Sequence, residues 1–186
     1  MINEAIESCL DGEHVLFITI EMTLIQLFQR VIAKLTNVDA SKIMAPEKLT
    51  SAEWERLKGI GEEVVKLFGE RLWVVEVSQL TIEGARGITR KYRDNYQITS
   101  VYIDYAQIIS LPGGGTPEKE TDYASISRGL ATIAKTENVH IAVGSQLKRA
   151  VEEREDKRPT QSDLRNSGAF EQDAARIIGL YRDDVY

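Results

Sequence analysis

Three polar side chains follow short apolar runs at distant points of the sequence, and their types suit the hydrolysis of a nucleotide. Glu21 follows residues 15–20, Asp104 follows residues 101–103, and Gln146 comes just after residues 140–144. One carboxylate can hold a hydrated Mg²⁺, a second can polarise a water molecule, and an amide can bind a phosphate oxygen. If the three runs are neighbouring parallel strands, these side chains meet at one edge of the sheet.

The three apolar runs have the composition of strands that are buried on both faces, as in a parallel sheet. In open α/β sheets, ligands bind beyond the carboxyl ends of the strands, which is where Asp104 is expected. A second interpretation of Asp104 stays open, because a carboxylate that follows a strand can also cap the next turn.

Helices and strands alternate along the chain, which predicts a single α/β domain with a mainly parallel sheet. Two capping boxes mark helix starts, Thr23 with Gln26 and Thr50 with Glu53. The second box is expected to open one helix that runs to about residue 68. The predicted strands are residues 15–20, 72–77, 101–103, 140–144 and 177–181.

Composition limits the classes of function. The 186 residues suit one domain, and a net charge of −6 excludes a global basic field that would attract nucleic acid. Cys9 is the only cysteine, which excludes a disulfide or a cysteine-based zinc site within the chain. There is no signal-peptide pattern and no apolar run of membrane-spanning length, so we expect a cytoplasmic protein without membrane contact.

Two polar stretches keep more than one interpretation. Residues 148–168 are too long for an ordinary connection in a compact domain, so they are expected to be functional or disordered. The helix predicted after Thr81 carries a basic face, which is either solvated or a subunit contact. That face consists of Arg86, Arg90, Lys91 and Arg93.

Eight short motifs occur in order along nearly the whole chain. They are Ile20-Glu21-Met22, Val101-Tyr-Ile-Asp104-Tyr105, Ser145-Gln146-Leu147, Asp156-Lys-Arg-Pro159, Ser162-Asp-Leu-Arg165, Ser167-Gly168, Glu171-Gln-Asp-Ala174 and Tyr181-Arg-Asp183. In these motifs the sequence resembles the C-terminal ATPase domain of the hexameric replicative DNA helicases of bacteria and phages, the DnaB type. The resemblance implies a RecA-like fold and an ATP-driven motor that moves along single-stranded DNA and unwinds the duplex during replication.

The resemblance also implies roles for single residues. Glu21 matches the catalytic base that polarises the attacking water, and Asp104 matches the Walker B acid, which acts on Mg²⁺ through its water shell. Gln146 matches the amide that reports the γ-phosphate to the DNA-binding loops. Arg165, Asn166 and Gly168 match positions that touch the backbone of single-stranded DNA, although the family usually has Glu where Asn166 stands. The implied cofactors are ATP and Mg²⁺, and the implied partners are other subunits of a ring hexamer and a primase or helicase loader.

Two features of the family pattern are missing from the 186 residues. There is no Gly-x-x-x-x-Gly-Lys-Ser/Thr P-loop, which in the family precedes the Glu21 strand by one helix, and no arginine finger after Tyr181. The chain is therefore expected to be a partial RecA-like domain, residues 1–186, that lacks the P-loop strand. In RecA-like sheets that strand lies between the Gln146 strand and the last strand, so a gap with unpaired backbone is expected there.

Three hypotheses of function follow from the sequence. The first is a piece of a replicative helicase that is inactive alone, because nothing holds the nucleotide phosphates. The second is a non-catalytic, helicase-like interaction protein that joins or regulates a full-length helicase ring. The third is an unrelated Mg²⁺-dependent phosphohydrolase that uses Glu21 and Asp104, which is disfavoured because no further acids complete a two-metal site.

Overall fold

The computed structural model describes residues 1–164 and 168–182, and a parallel sheet of four strands forms its centre. The strands are β1 (Val15–Thr19), β2 (Leu72–Glu76), β4 (Ser100–Asp104) and β6 (His140–Val143). Their order across the sheet is β2, β1, β4, β6. Two short strands, β3 (Leu80–Thr81) and β5 (Ile109–Ser110), form a separate parallel pair. The predicted α/β architecture with a mainly parallel sheet is confirmed.

Helices cover both faces of the sheet. They are α1 (Ile2–Leu10), α2 (Leu24–Thr36), α3 (Ala40–Ile43), α4 (Ser51–Gly59), α5 (Gly61–Glu70), α6 (Ile82–Tyr96), α7 (Glu120–Glu137) and α8 (Gly168–Asp173). Short 3₁₀ turns lie at Pro46–Lys48, Ala106–Ile108, Arg149–Glu153 and Gln161–Asp163. No helix within the described ranges combines the length and the apolar character that crossing a membrane requires.

Strand β1 shows why the sheet is buried on both sides. Leu16 and Ile18 pack into the core under α6 and α7, whereas Val15 and Phe17 pack against α1, α2 and α5. Successive side chains of a strand point to opposite faces, so a strand between two helical layers needs apolar residues at every position. All five residues of β1 are buried, as the continuous apolar run predicted.

Both capping boxes form as expected. The Thr23 hydroxyl accepts a hydrogen bond from the Gln26 backbone N–H, and the Gln26 side chain accepts one from the Thr23 N–H. Thr50 and Glu53 form the same reciprocal pair at the start of α4.

The expectation of one continuous helix after Thr50 is wrong. The helix divides at Ile60 into α4 and α5. Gly59 and Gly61 flank this residue, and two glycines so close together lower the helical propensity at that point.

The prediction of a last strand at residues 177–181 is also wrong. The structure gives these residues no strand, and Ile178 and Leu180 are 68% and 79% exposed. The segment lies against the preceding loop instead, with the Arg158 guanidinium 5.8 Å from the centre of the Tyr181 ring. A strand needs a partner for its backbone groups, and within the described residues β6 pairs only with β4.

Candidate functional site: the carboxyl edge of the sheet

The register of the parallel strands brings the predicted site residues to one edge of the sheet. Thr19 at the end of β1 is level with Asp104 at the end of β4, and Ile103 is level with Val143 at the end of β6. Glu21 and Gln146 follow β1 and β6 by two and three residues. All three predicted side chains therefore belong to the carboxyl edge, where α/β sheets bind ligands.

A single cavity of about 2160 Å³ is lined by Glu21, Asp104 and Gln146. It also extends along β6 and α7 and is bordered by residues 173–180. Gly144 lies between β6 and Gln146, and there is little room for a side chain at this position. A Cβ built on Gly144 would lie 2.7 Å from the Met1 Sδ and 3.5 Å from the Asp104 Oδ1.

Asp104 is half-buried, and its carboxylate is not used to cap the turn that follows. Tyr105 takes the N-cap position of the Ala106–Ile108 turn, which has no side-chain cap hydrogen bond. The capping interpretation that the sequence left open for Asp104 is therefore not borne out. Its carboxylate borders the cavity, where an acid could meet a hydrated cation.

Glu21 is exposed on a short turn that Thr19 holds in place. The Thr19 hydroxyl accepts a hydrogen bond from the Met22 N–H (3.1 Å) and donates one to the Met22 carbonyl (2.8 Å). Another acid at this edge, Glu76 at the end of β2, accepts a 2.9 Å hydrogen bond from the Leu24 N–H and so caps α2. The two acids differ in use: Glu76 stabilises a helix, whereas Glu21 faces the cavity.

Gln107, which was not among the residues predicted from the sequence, holds the turn that carries Gln146. The Gln107 Nε2 donates to the Ser145 Oγ at 2.9 Å, and the Gln107 Oε1 accepts from the Gln146 backbone N–H at 3.3 Å. One amide side chain thus contacts both residues that follow Gly144. The available signal was its position three residues after Asp104, in Asp104-Tyr-Ala-Gln107.

No group of three or more His, Cys, Asp or Glu side chains in residues 1–164 and 168–182 is placed to hold a metal ion. Asp104 and Glu21 are two acids of one cavity, a donor set that suits a Mg²⁺ ion which keeps most of its water ligands.

Comparison with known proteins identifies the family. The family model described as the DnaB-like helicase C-terminal domain matches residues 1–186. This chain belongs to the DnaB-like helicase C-terminal domain family. The fold and the order of motifs along the chain agree with that assignment.

Curated relatives and solved structures give the same result. The chain is 38% identical over 175 residues to the replicative DNA helicase DnaB of Haemophilus influenzae, and 32% identical over 175 residues to that of Geobacillus stearothermophilus. These alignments cover 92% and 94% of this chain but 36% and 38% of the relatives. The chain thus spans little more than a third of their length.

Two solved structures superpose on the whole chain. One is an ATPase domain, with a TM-score of 0.86 and 30% identity, of which 65% is covered. The other is a DnaB-like replicative helicase, described with its interactions with primase, with a TM-score of 0.82 and 30% identity, of which 46% is covered.

In this DnaB-like domain the polar stretch after Gln146 is structured up to residue 164. Leu147 and Leu164 form an antiparallel bridge, and the Lys148 N–H donates to the Asp163 carbonyl at 2.8 Å. The backbone directly before Arg165 is therefore joined to the backbone directly after Gln146. Of the predicted DNA-binding residues, Arg165 and Asn166 lie outside the described residues, and Gly168 is the first residue of α8.

Asp163 is the anchor of this stretch. Hydrogen bonds from Thr160 and from the Arg154 guanidinium lower the pKa of the Asp163 carboxyl. Arg154 binds both carboxylate oxygens, at 3.0 and 2.7 Å.

Proposed function

We propose that residues 1–186 belong to the motor of a replicative DNA helicase, which couples ATP hydrolysis to movement along single-stranded DNA. Membership of the DnaB-like family supports the helicase assignment. The observation that carries the site is the shared cavity of Glu21, Asp104 and Gln146, whose sequence positions are up to 125 residues apart. An acid, a second acid and an amide around one space fit phosphoryl transfer to water.

Each of the three residues has its own part in the proposed reaction. Asp104 would hold a Mg²⁺ ion through the water ligands of the ion, and the ion would supply positive charge to the phosphates of ATP. Glu21 accepts a hydrogen bond from the attacking water and polarises it. The side-chain amide of Gln146 donates a hydrogen bond to the γ-phosphate, and Gln146 shifts when the γ-phosphate is released.

The bridge between Leu147 and Leu164 supports a route from nucleotide to DNA. A shift of Gln146 moves Leu147, and Leu164 is bonded across the bridge directly before the predicted DNA loop of Arg165, Asn166 and Gly168. Backbone amides and one Arg can follow phosphates without recognising sequence. A single subunit adds few such contacts, and a ring multiplies them, so we propose a hexameric ring as the working assembly.

Primase or a helicase loader completes the proposed set of partners. One structural neighbour is described with its interactions with primase, and this chain covers 46% of that neighbour.

The polypeptide of 186 residues is expected to lack ATPase activity by itself. Its sequence contains no P-loop, so no lysine reaches the β- and γ-phosphates and no row of amides surrounds them. We predict no Mg²⁺-dependent phosphate release above background in an ATPase assay of the purified chain. Robust turnover that Asp104→Asn abolishes and Glu76→Gln leaves intact would contradict this prediction.

A regulatory role in a helicase ring is the second candidate function. The family assignment favours it, because a polypeptide with the fold of a DnaB-like domain could occupy a position in a ring of that family. Co-purification with a full-length replicative helicase would support this function, and the absence of any contact in a pulldown would remove it.

A further inference from the structure

Gln107 is carried by a firmly anchored turn directly after β4. The turn Ala106–Ile108 runs at once into β5, which pairs with β3. Ala106 and Ile109, which flank this part of the turn, are fully buried. The Ala106 N–H also donates to the Gly144 carbonyl at 2.9 Å. The backbone on both sides of Gln107 is therefore fixed, and its side chain extends from a rigid base.

Ser145 and Gln146 lie beyond the end of β6, and the Gln107 side chain binds both of them. The pairing of β6 with β4 ends at Val143, so these two residues are outside the sheet. The Gln107 Nε2 donates to the Ser145 hydroxyl, and the Gln107 Oε1 accepts from the Gln146 N–H. An amide side chain can do both because it has a donor and an acceptor at its end.

The segment that follows Gln146 is in turn bound to the end of the polar stretch. The Lys148 N–H donates to the Asp163 carbonyl at 2.8 Å, and the Lys148 Nζ donates to the Ser162 carbonyl at 2.7 Å. The antiparallel bridge described above lies next to these bonds. Hydrogen bonds thus connect the Gln107 side chain, step by step, to residues 162–164, directly before the predicted DNA loop.

We propose that Gln107 is a positioning residue that couples the turn of Gln146 to the backbone of residues 162–164. Without its two hydrogen bonds the turn gains freedom, and residues 162–164 lose a fixed attachment. The predicted loop would then have to be ordered when DNA binds, and this ordering lowers the affinity. The consequence for DNA rests on the proposed function, whereas the coupling itself can be measured without DNA or nucleotide.

Amide hydrogen exchange of the 186-residue polypeptide, measured by NMR, tests the coupling. Gln107→Met keeps the length of the side chain but removes both polar atoms. In this variant we expect the Gln146 and Lys148 amides to exchange roughly tenfold faster. The Gly144 amide, which donates to the Ile103 carbonyl, should exchange at an unchanged rate. Gln107→Glu should restore slow exchange, because a carboxylate oxygen can still accept from the Gln146 N–H.

Two outcomes of the exchange measurement overturn the proposal. An unchanged Lys148 amide in Gln107→Met would mean that the effect of Gln107 ends at the turn. Equally faster exchange of the Gly144 amide would mean that Gln107 supports the whole edge of the sheet and does not act on this connection in particular.

Binding of a labelled single-stranded oligonucleotide at low ionic strength tests the consequence for DNA. We expect Gln107→Met to weaken binding roughly fivefold and to leave the salt dependence of log K unchanged, because no phosphate contact is lost. Arg165→Ala, by contrast, should reduce the salt dependence. Thr50→Ala is the control for a general loss of stability, since it removes the N-cap of α4 and does not border the cavity.

The variants separate the failure of this inference from that of the proposed function. An equal loss of binding in Thr50→Ala, or a reduced salt dependence in Gln107→Met, overturns the positioning role of Gln107 in DNA binding. If Arg165→Ala has no effect on binding, the proposed DNA loop is wrong, and the exchange of the Lys148 amide still decides the coupling.

Discussion

Glu137 accounts for half of the basic face of α6. Its carboxylate is 1% exposed and binds Arg90 at 2.9 Å and also Arg93. The hydrogen bond from Arg90 is the main cause that lowers the pKa of the Glu137 carboxyl. A buried carboxylate is tolerated only when charged partners satisfy it. Arg90 and Arg93 are thus paired within the chain, whereas the Arg90 side chain is still 58% exposed, and the predicted subunit contact of this face stays a prediction.

Glu53 gives a pH dependence that can be measured. The pKa of its carboxyl is lowered from 4.5 to about 2. The hydrogen bond from Lys42 is the largest cause, and hydrogen bonds from Thr50 add to it. Because the folded-state pKa is depressed, its contribution to stability is present above about pH 4.5 and is lost as the pH falls through about 2. We predict that Glu53→Gln lowers the thermal midpoint at pH 7 by several degrees and that the difference vanishes below pH 2.

A matched control exists on the same helix. Glu55 pairs with Lys58 in solvent, with side-chain exposures of 71% and 65%, and such pairs contribute little. Thermal unfolding followed by circular dichroism at several pH values should give Glu55→Gln the same profile as the unchanged chain. Equal profiles for Glu53→Gln and Glu55→Gln would contradict the role of the capping box.

At the scale of elements, short sequence patterns predicted the strands and helix starts that depend only on neighbouring residues. The apolar runs of β1, β4 and β6 and the boxes at Thr23 and Thr50 each lie within a few residues, and each formed as expected. Residues 177–181 have the same strand composition, but a strand also needs a neighbour, which no local pattern contains. Gln107 was missed for a related reason, since its role exists only once β4 and β6 lie side by side.

The contact between α6 and α7 depends on the absence of a side chain at Gly129. A Cβ there would lie 2.7 Å from the Ile82 Cγ2 and 2.9 Å from its Cγ1. Ile82 is β-branched, so its side chain has few rotamers by which to move away. We predict that Gly129→Ala destabilises the fold, because overpacking of about 1–3 kcal/mol exceeds the gain of ~1 kcal/mol in helical propensity.

Gly87 on α6 is the matched control for this substitution. A Cβ on Gly87 meets nothing within 4 Å, so Gly87→Ala should stabilise the chain by about 1 kcal/mol. Urea unfolding of both variants measures the difference, and adding Ile82→Ala to Gly129→Ala should remove the clash. If Gly129→Ala stabilises the chain as Gly87→Ala does, α7 can shift away from α6 and the predicted close packing is absent.

At the scale of the whole molecule, the net charge limits how the proposed binding to DNA could occur. A net charge of −6 repels a polyanion at long range, so binding must come from a few local contacts with phosphates. The bridge between Leu147 and Leu164 joins the residue after Gln146 to the residue before the predicted loop, and one molecule supplies one such loop. A working motor would need several loops along one strand of DNA to bind it tightly.

The role of the predicted DNA loop can be tested by binding measurements, although the net negative charge opposes binding to DNA. We expect the chain to bind a labelled single-stranded oligonucleotide weakly, with a dissociation constant of about 10⁻⁴ M at physiological salt. Arg165→Ala should weaken binding further and reduce the salt dependence of log K by about 1, because one phosphate contact is lost.

Lys58→Ala is the matched control. It also changes the net charge from −6 to −7, but Lys58 belongs to α4 and not to the predicted DNA loop. Fluorescence anisotropy at several salt concentrations separates the two effects. Equal losses in both variants would mean that only the overall charge matters, and the role of Arg165 in DNA binding would then be wrong.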